Sequence, residues 1–159
     1  MDSNPEEKLK ELTEELLSKM DFEAEVEVGE SQSEFLTINI LSEEAGLLIG
    51  QGGENLSAFQ HIARIIAGKR LGEQPINFIV DVNNYRGNRA SLLKEMALSL
   101  ARQVANDGKE KTLEPMPSYE RRIIHLTLKD FDGVKTESQG EGELRRTIIK
   151  PGSDAASRD

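Results

Sequence analysis

A chain of 159 residues and 17.7 kDa is long enough for one ordinary domain or two small ones with real hydrophobic cores, which sets aside very small disulfide-held scaffolds. The complete lack of cysteine excludes disulfides, cysteine-based zinc sites, iron–sulfur clusters and thiol nucleophiles. The formal net charge of −9 is unevenly spread: residues 1–44 hold 14 Asp/Glu against 3 Lys/Arg, whereas residues 45–159 hold 15 against 17.

Residues Pro5 to Met20 place Leu9, Leu12, Leu16 and Leu17 at helical spacing, with proline at the opening turn. Ala24 to Val28 alternates with glutamates and Phe35 to Leu41 is β-branched and apolar, so two strands should form a hairpin around the polar stretch Gly29–Glu34. Ser42 can cap a short helical turn that runs through Leu47, Leu48 and Ile49 into Gly50-Gln51-Gly52-Gly53. A second helix is expected just after the glycines, with Leu56, Phe59, Ile62, Ala63, Ile66 and Ala67 inward and Gly68 as its cap. Ile76, Phe78, Val80 and Val82 alternate as a third strand.

A longer helix follows from Tyr85 to Asn106, with Leu93, Met96, Ala97, Leu100 and Val104 on one face and a stop at Gly108. Proline punctuates the link LEPMPS, and Pro117 or Ser118 can start a helix over Tyr119 to Leu128. Strands are expected at Val134 to Gln139 and Leu144 to Lys150, and residues 152–159 are small and polar, as in a disordered tail. No run approaches the 18 or so apolar residues of a membrane span, and the N-terminus has no basic-then-apolar leader; a soluble, cytoplasmic protein is the expectation.

The glycine cluster lies between two helical segments. Glycine permits positive φ and leaves no Cβ, so a sugar-phosphate backbone can approach the main chain and meet amides at the following helix N-terminus. No Gly-Lys-Ser/Thr follows, and the third glycine of a dinucleotide fingerprint would fall on Asn55. The pattern I-G-x-x-G-x-x-L between helices resembles the K-homology (KH) fold, whose GXXG loop holds about four nucleotides of single-stranded RNA. The element order matches the bacterial type II version, αββααβ. The alternative is a tight helix-turn-helix with no ligand. Gln51, Gly52 and Glu54 bring no cation to the loop, so it should bind weakly by itself.

In SYERRIIHLTLK, Arg121 and His125 are four apart and share a helix face. A guanidinium beside an imidazole can bond phosphate oxygens, and either group can stack under an unpaired base; a structural histidine is the alternative. Residues 84–129 hold 9 basic against 5 acidic residues, a locally positive stretch in an acidic chain. Arg-x-x-x-His is the pattern that names the R-3-H domain. The stretch LEPMPSYERRIIHLTL followed by ESQGEGELRRTIIKP resembles the C-terminal half of the bacterial Jag/KhpB (SpoIIIJ-associated) family, which joins a type II KH domain to an R-3-H domain.

The resemblance covers about residues 35–151 and implies an α+β protein: a type II KH fold over 1–83, then an R-3-H α+β domain over 84–151. It implies that Gly50, Gln51, Gly52 and Gly53 form the KH loop and that Arg121 and His125 take the naming positions. Tyr85, Arg89, Arg122, Arg145 and Arg146 are implied as neighbouring binding surface. Because the chain starts at an acidic helix belonging to the KH unit, it is expected to lack the Jag domain that many members carry in front.

The function so implied is single-stranded RNA binding in post-transcriptional control, with single-stranded DNA as a further ligand. The alternative is a protein-interaction adaptor that pairs with another KH protein or uses the acidic hairpin Glu23–Glu34 to meet a basic partner. Only His61 and His125 offer imidazoles, without a nucleophile–base–orienter set, so neither an enzyme nor a cofactor or metal is expected. With Phe35, Phe59 and Phe78 needed for a core, an aromatic stacking sheet is disfavoured.

Overall fold

The computed structural model describes residues 4–30, 35–72 and 76–152; the tip of the expected hairpin and the tail at 153–159 lie outside them. The chain divides into two compact units, Met1–Arg86 and Gly87–Asp159. Each is a mixed α+β structure with its own three-stranded sheet.

The first unit opens with α1 (Pro5–Lys19). Asn4 caps it by accepting from the Glu6 amide, Pro5 sits where no amide is needed, and Glu6 with Glu7 and Lys19 complement the helix dipole at its two ends. Strands β1 (Glu25–Glu30) and β2 (Leu36–Leu41) pair antiparallel, from Glu25 opposite Leu41 to Glu30 opposite Leu36. The crossover α2 (Ala45–Ile49), a single 3-10 turn at Gln51–Gly53 and α3 (Glu54–Arg70) then carry the chain to β3 (Phe78–Val82), parallel to β2. This is the expected αββααβ order. Leu9, Leu17, Val26, Ile38, Ile40, Leu56, Phe78 and Val80 are essentially inaccessible, each large side chain contributing about 1.5–3 kcal/mol by burial.

β3 is an edge strand, and side chains complete its outward backbone groups. The Gln60 amide donates to Phe78 O (3.1 Å) and its carbonyl accepts from the Val80 amide (3.2 Å). Arg86 Nε donates to Val80 O (3.2 Å), and the Val82 amide donates to the Asp81 carboxylate (2.9 Å). Gln60 and Asp81 are buried accordingly, as the cost of burying unpaired polar groups requires.

The second unit contains most of α4 (Tyr85–Asp107), whose first two residues close the first unit. β4 (Lys111–Thr112) pairs antiparallel with β6 (Arg146–Pro151), and β6 pairs on its other side with β5 (Val134–Gln139). α5 (Ser118–Leu128) packs its Ile124 and Leu128 with Leu93, Ala97, Val104 and Ile149. Gly108, at φ 69°, ends α4 with its amide on Val104 O.

Several expectations are corrected. α3 passes through Gly68 to Arg70, and the positive φ comes at Gly72. Ile62 and Phe35 are 50% and 40% exposed, so neither belongs to the core; Gln60 and not Ile62 occupies the inner face. Met96 is surface-exposed, with Ala101 buried in its stead. LEPMPS is more than a link, because Leu113 and Met116 are buried and their amides bond Thr147 O and Arg145 O beside β6. Leu144 lies in a 3-10 turn, two residues before β6 begins. Gly152, placed in the tail by the sequence, donates to Gly133 O at 2.8 Å.

Candidate nucleic-acid interface

The glycine loop is shaped by three positive φ angles, at Gly50 (70°), Gly52 (60°) and Gly53 (82°). Buried Leu48 and Leu56 hold its two ends in the first unit's core. A Cβ on Gly50 would stand 2.6 Å from Asn55 Cγ, so absence of a side chain lets Asn55 fold over the loop and donate to Leu47 O at 2.8 Å. Around Gly52 there is open space. Gly53 caps α3 without a side-chain hydrogen bond, and the loop closes on itself, the Gly53 amide donating to Gly50 O and the Glu54 amide to Gln51 O. Gln51 and Glu54 are exposed beside it.

In the second unit α5 buries Glu120, Ile124 and Leu128, one helical face, and the adjoining stripe carries Arg121 and His125, both half-buried. Arg121 Nε donates to Met116 O at 3.1 Å, and the Met116 amide donates to Arg145 O at 3.2 Å. Met116 thus bonds Arg121 through its carbonyl and the Arg145 backbone through its amide. Arg145, just after the 3-10 turn Gly142–Leu144, donates from Nη1 to Gly140 O (2.7 Å), and Arg146, the first residue of β6, brings Nε to 3.4 Å from Leu144 O.

His125 is fixed at both ring nitrogens. Nδ1 lies 2.6 Å from Thr136 Oγ1 and Nε2 lies 2.8 Å from Ser138 Oγ, two hydroxyls on one face of β5. Burial first, and the neighbouring Arg121 charge second, hold its pKa below the usual histidine value. The ring is thus a neutral hydrogen-bonding group. The cationic character of this surface comes from arginine.

The remaining sequence candidates fall in different places. Arg122 is exposed on α5. Tyr85 packs against the first unit's core. Arg89 is held in a bidentate pair with buried Glu120, so the surface role assigned to it gives way to a structural one. The structure thus brings Arg121 and His125 together on one stripe of α5, with Arg145 and Arg146 elsewhere in the second unit at the start of β6, and Gly50 to Gly53 in the first. Thr136 and Ser138 were missed by the sequence reading; their signal was a pair of hydroxyls at i, i+2 in VKTESQ, interpretable only once β5 was known to face α5.

Comparison with known families agrees with this division. Residues 6–80 match the model of the KhpA/KhpB KH domain and residues 91–151 that of the R-3-H domain. The chain is a protein of the KH plus R-3-H class. Its relatives include proteins named RNA-binding protein KhpB. It is 40% identical over 128 residues to that of Bacillus subtilis strain 168, covering 79% of this chain and 61% of the relative. The Lactiplantibacillus plantarum relative is 37% identical over 115 residues, 72% of this chain and 35% of its own. For Clostridium symbiosum the figures are 35% over 124 residues, 78% and 55%. The chain therefore spans between a third and three-fifths of the length of these relatives.

Among the described residues no helix is long and apolar enough to cross a membrane, and no group of three or more His, Asp or Glu could hold a metal ion.

Proposed function

We propose that this protein binds single-stranded RNA, in post-transcriptional control, with its R-3-H unit as the principal contact and the KH loop as a weaker one. The observation that carries the reading is Arg121: its Nε is spent on Met116 O, while its terminal nitrogens take no protein hydrogen bond among the described residues. A guanidinium so placed offers a planar pair of donors to phosphate oxygens. Arg145 and Arg146 add positive charge to the same unit. The relatives named as RNA-binding proteins support the same direction. In the KH loop, bare main chain at Gly52 permits close approach of a sugar-phosphate backbone, but exposed Glu54 opposes it.

The test is titration of a fluorescein-labelled single-stranded oligoribonucleotide at low salt, read by anisotropy, with unlabelled single-stranded DNA as competitor. Saturable binding, much reduced by Arg121→Ala with His125→Ala, is expected. No saturable binding, or binding indifferent to the double substitution, overturns the proposal.

One observation favours the adaptor reading, pairing with another KH protein. Leu16, Phe22, Leu48 and Phe59 line an apolar groove of roughly 400 Å³ in the first unit, with Leu47 and Ile62 exposed at its rim. On that reading, capture of a co-expressed KH protein survives Gly52→Asp with Gly53→Asp, and any RNA contact through the loop does not.

A further inference from the structure

We infer that the hydroxyl pair of Thr136 and Ser138 supplies one phosphate-binding O–H donor to the R-3-H unit, and that His125 is the positioning residue for the pair rather than a contact itself. The inference rests on the RNA-binding reading and refines its chemistry.

Both imidazole nitrogens are occupied by these hydroxyls at 2.6 and 2.8 Å, so no phosphate oxygen can bond the ring while those contacts hold. A neutral imidazole has one N–H donor and one acceptor nitrogen. The hydroxyl that receives the ring N–H keeps its own hydrogen to give elsewhere, while the other hydroxyl donates into the ring. One O–H donor is thereby left uncommitted. Thr136 and Ser138 are half-buried on the α5-facing side of β5, and Arg121 lies one helical turn from His125. A non-bridging phosphate oxygen held by the Arg121 guanidinium can accept the free hydroxyl hydrogen.

The neighbourhood supports a polar floor. Thr147 stands opposite Ser138 in the β5–β6 register, and its fully buried hydroxyl oxygen has no hydrogen-bond partner among the described residues. The carboxylate nearest in sequence, Glu137, alternates to the other face and pairs with Lys150 at 2.6 Å, so no anion on β5 opposes phosphate here.

The experiment is the same anisotropy titration on the full chain with Thr136→Val, Ser138→Ala and the two combined, alongside Thr136→Ser and Ser138→Thr, which keep the hydroxyl. The combined variant should bind about tenfold more weakly, as expected for losing a hydrogen bond to a charged group, and the hydroxyl-retaining variants should bind nearly as wild type. His125→Ala should cost no more in the combined background than the combined variant costs alone. The log–log salt slope should be unchanged by the hydroxyl substitutions but lowered by about 0.7 by Arg121→Ala, since only a cation releases counterions.

If RNA binds and Arg121→Ala weakens it, yet Thr136→Val with Ser138→Ala does not, the hydroxyl inference fails and the RNA reading stands. Failure of the inference also follows if His125→Ala weakens binding further once both hydroxyls are gone. No binding by wild type removes the RNA reading itself. Loss of folding in the valine and alanine variants, checked by circular dichroism, leaves Thr136→Ser and Ser138→Thr to decide: full affinity supports the inference, and a tenfold loss with intact fold overturns it.

Discussion

Arg89 and Glu120 meet through two parallel hydrogen bonds, Nε to Oε1 at 3.0 Å and Nη2 to Oε2 at 3.1 Å, joining α4 to α5 across 31 positions of sequence. Glu120 is 1% exposed. A carboxylate that deep is tolerated only because a fork-shaped donor matches both its oxygens. Arg89→Ala is therefore expected to destabilise the second unit by about 3 kcal/mol, and Arg89→Lys to recover only part of it, because an ammonium cannot reproduce the fork. Hydrogen exchange of the α5 amides during urea unfolding is the measurement; protection equal to wild type in Arg89→Ala contradicts the assignment.

Acid should weaken the His125 neighbourhood. With its pKa held below the ordinary 6.5, the folded state binds the proton less readily than the unfolded chain does. Stability of the second unit is then full above pH 6.5 and declines as pH falls below that value, until the folded-state pKa is passed. NMR titration of the imidazole protons, with His61→Gln to simplify assignment, should report the depressed pKa. An elevated value for His125 would contradict this account, and the decline in stability should be absent in His125→Gln.

In the first unit the corresponding group is Glu15, which bonds Arg70 of α3 and Lys19 of α1. Those two hydrogen bonds, the one from Arg70 larger, bring its pKa from 4.5 to about 2. A depressed carboxyl pKa stabilises the fold above the unfolded value and loses that effect as pH falls, here between about 4.5 and 2. The stability difference between wild type and Glu15→Gln should shrink over that window. Because the pair is solvent-exposed, the difference should also shrink in high salt.

The glycines of the KH loop are not equivalent. Gly50 combines φ 70° with ψ −179°, a region nearly closed to other residues, and an added methyl would run into Asn55. Gly52 has open space and only a left-handed backbone to contend with. Gly50→Ala should cost about 3 kcal/mol and Gly52→Ala about 1 kcal/mol in thermal or urea unfolding. Equal losses would mean that Asn55 is not held over the loop.

Periodicity revealed most of the helices and strands because their core positions repeat at 3.6 or 2 residues, as in Leu9-Leu12-Leu16 and Phe78-Val80-Val82. It misassigned Gly68 because glycine in a helix is merely unfavourable, and the two residues after it, Lys69 and Arg70, suit a helix C-terminus. It did not reveal β4, since two residues carry no period. At the candidate site the Arg121–His125 spacing was legible on one helix. What His125 touches, and that Arg89 is spoken for, depend on partners 11 to 31 residues away, which no local pattern encodes.

The side chains that finish β3 also decide how this sheet can grow. An extended peptide, or a neighbouring chain during refolding, adds to a sheet through unsatisfied amides and carbonyls. Gln60, Arg86 and Asp81 already occupy those groups along β3, which leaves β1 as the margin open to augmentation, and there Glu25 and Glu27 project as exposed negative charges. Fibre-like stacking is thus opposed on one side by prior occupation and on the other by repulsion. Neutralising both glutamates should expose that margin to self-association.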